Sequence, residues 1–154
     1  MNVLYLSIDF VVPADRGDKV RTLAQLRTIA SLTEVERIRL FFLYEDAVPI
    51  ADQDTLVAEI PKIEIAEPVF HPIHLRRHLH QVPSVIAHRA RGVPYLLAKW
   101  ESPSVRERLR RELAARRWDV VWLNGLGIAR YLPLVREIAP GARVVMDGHN
   151  VESD

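Results

Sequence analysis

Three short runs hold the residues whose types could do chemistry. In Asp15-Arg16-Gly17-Asp18 a glycine lets a ligand approach the backbone just where a helix begins. The free N–H groups of such a helix start attract phosphate, although Asp15 and Asp18 oppose an anion there. Asp147-Gly148-His149-Asn150 follows an apolar run. An imidazole at His149 can orient a sugar hydroxyl, donate to a phosphate or move a proton, and Asn150 can cap a following helix. The third run, Asn124-Gly125-Leu126-Gly127, offers backbone groups to the same place if the strands before it lie side by side. Each run has a plainer reading as well: a βα turn, a surface histidine beside a cap, and a turn softened by glycine. Neither a GxGxxG fingerprint, a Walker loop nor a nucleophile elbow is present.

Two further clusters carry charge. His71, His74, His78 and His80 crowd one stretch, and His74 and His78 would share a helix face. No cysteine or acidic partner lies close by, and Arg76 and Arg77 would repel a cation, so no metal site is expected. From Arg76 to Arg117 eleven basic residues stand against three acidic ones, although the whole chain is only +1. Such a surface is either a solvated helix face or a contact for an anionic membrane. The near-neutral total gives no global case for nucleic acid.

The elements that must position these residues follow from hydrophobic spacing. Asn2–Ser7 reads as a strand buried on both sheet faces and Trp118–Leu123 as a second buried strand, while Glu34–Tyr44, which alternates at first and ends in a solid apolar run, Lys62–Val69 and Ala142–Met146 read as further strands. Between the first two, Val20, Leu23, Leu26, Ile29 and Ala30 recur at helical spacing behind Asp18, which can cap that helix. Asp52–Ile60 is a short helix. Ser102 opens another, with Pro103 at its first position and Val105, Leu109 and Leu113 on one stripe. Gly125–Ile138 is the last helix unless Pro133 kinks it, and His71–Leu97 is broken by prolines and Gly92. Strands alternating with helices predict an α/β fold. The expected architecture is a single Rossmann-like domain over residues 1–154, a doubly wound parallel sheet in an order like 3-2-1-4-5. All three chemical runs then sit at strand ends, where open α/β sheets bind ligands. The 154 residues suffice for a real core. With no cysteine, no signal segment and no long apolar run, a cytoplasmic chain is expected.

VLYLSIDFVVPADRGDKVRTLAQLRTIASLTEVERIRLFFLYED resembles the opening of GT-B glycosyltransferases of the family 4 type. There an apolar strand leads through a Pro-containing loop to a Gly-Gly or Gly-Asp pair and a helix with an early Arg. RVVMDGHNVES resembles the family's segment before the helix that follows "HN" or "HNVE". VPYLLAKWESPSVRERLRREL and WDVVWLNGLGIARYLP are similar to bacterial sugar transferases of exopolysaccharide clusters. The resemblance implies the N-terminal, acceptor-side half of a retaining glycosyltransferase. Such an enzyme moves a sugar from a nucleotide-sugar donor to a glycan or lipid-linked acceptor, with no metal and no tightly bound cofactor.

By the same resemblance, Gly17, Asp18 and Arg21 match the loop and helix start near the donor phosphates. His149 matches the histidine that faces the reacting sugar, while Asn124, Gly125 and Asn150 border the substrate. Acceptor selection would fall to Glu67–Glu101, and the Arg76–Arg117 surface could meet an anionic membrane at the inner leaflet. The family's two-glutamate donor motif belongs to a C-terminal domain that these 154 residues do not contain. The resemblance therefore implies that this polypeptide alone does not turn over. The alternative from the residues is a free-standing flavodoxin-like module that binds a small anion at its strand ends, or a peripheral membrane adaptor.

Overall fold

A computed structural model describes residues 1–44, 48–71, 100 and 102–148. Among the described residues, six strands and five helices follow in order: β1 (Asn2–Ser7), α1 (Gly17–Ser31), β2 (Arg37–Tyr44), α2 (Ile50–Glu59), β3 (Ile63–Ile65) and β4 (Val69–Phe70), then α3 (Pro103–Ala115), β5 (Val120–Asn124), α4 (Leu126–Ala129), α5 (Leu132–Ile138) and β6 (Arg143–Asp147). The sheet runs β3-β2-β1-β5-β6 and every pairing is parallel. Short β4 adds to the far end of β2 through Leu43↔Val69 and Tyr44↔Phe70. This is the expected Rossmann-like doubly wound sheet, with five principal strands in the expected order and β4 as an extra rung. Among the described residues no helix is long and apolar enough to cross a membrane.

Central β1 shows why the fold takes two layers of helix. Its side chains alternate between faces, and both faces are apolar. Leu4 and Leu6 join Val121, Leu123 and the α3 stripe Val105, Leu109 and Leu113. Val3 and Tyr5 join Leu23, Leu26 and Ile29 of α1 and Leu56 of α2. A strand sealed on both sides carries no polar alternation, hence the continuous run NVLYLS.

Several boundaries depart from the sequence reading for local reasons. The expected strand Lys62–Val69 divides into β3 and β4, because Pro68 has no N–H to give the ladder. The expected helix Gly125–Ile138 is two helices, with Pro133 in the first turn of α5, where its missing N–H costs nothing. Asp18 does not cap α1. Arg16 holds the cap position in extended geometry with no side-chain bond, and Asp18 is the second residue of the first turn, where its charge suits the positive helix end. Val20 is 53% exposed, and the polar Thr22 is buried at 4% beside the apolar stripe.

The three tryptophans have distinct settings. Trp100 and Trp118 are buried, and Trp122 packs partly buried on the α1 side, stacked on Tyr5 with ring centroids 6.0 Å apart. Trp118 Nε1 donates to the Glu112 carbonyl at 3.1 Å. Trp100 lies so close to Gly127 that a β-carbon there would come within 2.6 Å of the indole. His71 stacks on this indole with ring centroids 5.4 Å apart. His74, His78 and His80 lie outside the described residues, and among those described no three potential ligands gather to hold a metal.

Candidate functional site

The parallel register brings Ser7, Asn124 and Asp147 to one line at the carboxyl edge of the sheet. Helix α1 passes over that edge and is tied to it by side chains. Asn124 Nδ2 donates to Thr22 Oγ1 at 2.9 Å, and Thr22 Oγ1 donates in turn to the Asp18 carbonyl at 2.9 Å. Arg21 reaches Asp147 at 3.2 Å, and Gln25 Nε2 donates to the same carboxylate. Gln25 Oε1 accepts from the Tyr5 hydroxyl at 2.7 Å. A polar chain therefore runs from the core at Tyr5, through Gln25, to Asp147 at the strand end. Burial, and after it the Asp147 charge, pushes the Tyr5 phenol well above the ordinary tyrosine value.

The loop between β1 and α1 is laced by ion pairs. Arg16 meets Asp9 at 2.5 Å and Asp18 at 3.4 Å, and Lys19 meets Asp15 at 3.6 Å and Asp9 at 3.9 Å. The Val12–Pro13 peptide bond in this loop is cis. Around the crevice the carboxylates Asp9, Asp15, Asp18 and Asp147 outnumber the cations Arg16, Lys19 and Arg21, and each of those cations is already paired. This edge of the molecule is not a positive trap for an anion.

Of the residues singled out from sequence, Arg21, Asn124 and Gly125 are brought together, and Gly17 and Asp18 adjoin them at the start of α1. Gly125 has φ +97, so glycine is needed for its backbone, and its N–H donates to the Asp147 carbonyl at 2.9 Å. A β-carbon on Gly17 would meet open space, so no described neighbour demands glycine there. His149 and Asn150 lie outside the described residues, directly after Asp147-Gly148. Sequence reasoning missed Tyr5, Thr22, Gln25 and Asp147. The signal for Asp147 was present, since a carboxylate ending an apolar strand just before glycine has to find a partner from a neighbouring element.

The basic segment also changes meaning in the fold. On α3, Arg108, Arg110 and Arg111 face Glu67, Glu137 and Glu107, and Arg116 just past its end faces Glu64. Arg106 sits over the Tyr131 ring at 6.0 Å. Most of this helix's positive charge is thereby met within the domain; the part of the segment from 76 to 99 lies outside the described residues. Comparison with known protein families, curated proteins and solved structures finds no match for this chain.

Proposed function

We propose that this chain is the N-terminal, acceptor-side domain of a retaining GT-B-type glycosyltransferase. In that role it would act with a donor-binding domain to move a sugar from a nucleotide sugar to a glycan or lipid-linked acceptor. The observation that supports this best is the polar cluster of Arg21, Thr22, Asn124 and Asp147 at the carboxyl edge of the parallel sheet. It stands beside the two sequence segments that carry the family resemblance, and ligands of open α/β sheets bind at that edge. His149, next in line after the strand end, is the residue assigned to the reacting sugar. The excess of carboxylates around the crevice, Asp9, Asp15, Asp18 and Asp147 against the paired Arg16, Lys19 and Arg21, argues against the alternative of a small-anion-binding module, because a buried or partly buried anion would need uncompensated cations.

The experiment is transfer from a panel of nucleotide sugars, comparing this chain with the product of the complete gene. Transfer by the complete product alone, lost in His149→Ala with folding intact, is the expected result. Transfer by this chain unaided would refute the half-enzyme reading, and no transfer by either would remove the transferase reading.

A further inference from the structure

We propose that the α1-facing side of β5 is a hydroxyl-reading subsite, where Asn124 Oδ1 and Trp122 Nε1 bind a neutral polyol and select against phosphate. The two side chains point to the same face, two residues apart on one strand, about 6.6 Å at ~3.3 Å per residue. Among the described residues neither Asn124 Oδ1 nor Trp122 Nε1 has a hydrogen-bond partner, and both are buried. Native folds rarely leave such atoms unmet, and each one that is left needs a reason.

The orientation of Asn124 is fixed by its neighbours. Thr22 has one hydroxyl proton, and it goes to the Asp18 carbonyl, which can only accept. Thr22 Oγ1 can therefore only accept from Asn124, so the amide nitrogen must face Thr22 and the amide oxygen must face away from it. The position offers one acceptor from Asn124 and one donor from Trp122. A phosphate oxygen can satisfy the indole but repels the amide oxygen, and the carboxylate of Asp147 on the neighbouring strand adds to that repulsion. A hydroxyl both donates and accepts, so a hydroxyl-rich ring can meet both atoms. Both atoms are shielded in the free chain.

The choice of a sugar as probe rests on the transferase reading; the donor–acceptor pair itself does not. The test uses the chain as it is, labelled with ¹⁵N, following the three indole N–H resonances. Trp122→Phe keeps the ring stacked on Tyr5 and assigns the Trp122 signal. Methyl glucoside, methyl mannoside, methyl galactoside and inorganic phosphate are titrated separately. One of the glycosides is expected to move the Trp122 resonance while phosphate does not, and Asn124→Ala is expected to weaken that binding about tenfold, the worth of one hydrogen bond. No shift with any glycoside overturns the subsite, as does a shift with phosphate or undiminished binding in Asn124→Ala. If Asn124→Ala does not fold, Trp122→Phe read through the Gly125 amide decides in its place, with the same expected weakening. A glycoside shift here without sugar transfer by the complete gene product keeps the subsite and discards the transferase. Transfer that is indifferent to Asn124→Ala does the reverse.

Discussion

Replacing Tyr5 by Phe tests whether the polar chain beneath the crevice is sealed. Tyr5 is 0% exposed, donates to Gln25 at 2.7 Å, and lies near the charge of Asp147. Near neutral pH the variant loses that one bond and should be less stable by about 1 kcal/mol. At alkaline pH the order changes. The folded phenol ionises above the ordinary tyrosine value, so beyond about pH 10 the unfolded chain gives up a proton that the folded chain keeps. Fewer protons on the unfolded state means that stability falls as pH rises. For one such group the loss reaches about 1.4 kcal/mol at about pH 11, and Tyr5→Phe escapes it. The two proteins should therefore differ by about 1 kcal/mol at pH 8 and converge by about pH 11. For a chain of this length each kcal/mol is about 2–4 °C in Tm. Urea melts of both proteins at intervals between pH 8 and pH 11 read this directly, and every other titrating group is common to the pair. Parallel loss of stability across that range would show that Tyr5 ionises as readily folded as unfolded, and the sealed chain from Tyr5 to Asp147 would have to be abandoned.

Two further outcomes probe the scaffold. Glu112, 8% exposed, accepts from Arg39 through Nε at 3.1 Å and Nη2 at 3.2 Å; Glu112→Gln should cost about 2 kcal/mol, below the 3–5 of a fully buried pair because Arg39 keeps some solvent, and the double variant Arg39→Met, Glu112→Leu should recover most of it in denaturant melts. Gly127→Ala drives a methyl against the Trp100 ring and should cost about 1–3 kcal/mol, whereas Gly141→Ala, open on all sides, should be close to neutral; equal Tm values for these two variants would contradict the packing described.

How much of this could be read from the sequence depended on how local the cause was. Strands β1 and β5 announced themselves because both sheet faces are covered there, and β2 by the buried run Leu40–Leu43, whereas β6 is legible from its apolar Val144–Met146 although it lies at the sheet edge with no buried residue. Ser102 and Pro103 marked the start of α3 correctly, since a cap position and a first-turn proline are set by the backbone alone. Asp18 failed as a cap because Arg16 and Lys19 draw the loop's carboxylates into ion pairs instead. Gln25 looked like one of the polar residues between the apolar positions of α1, and Thr22 had no place in that pattern. Their work depends on Asn124 and Asp147, more than a hundred positions away. Polar burial of this kind becomes visible only once the strands are side by side.

The stack of His71 on Trp100 has a consequence for how this domain can vary. His71, directly after β4, has its N–H held by the Tyr44 carbonyl at 2.8 Å, and Trp100, ahead of α3, has its carbonyl held by the Tyr131 hydroxyl at 2.6 Å. The two ring centroids are 5.4 Å apart, and each residue is fastened to a different part of the scaffold. These two described ends are held by contacts of their own, and the entropic cost of closing a connection between fixed ends rises by only about 0.6 kcal/mol for each doubling of its length. Changes of length between His71 and Trp100 should therefore leave the register of the described strands undisturbed.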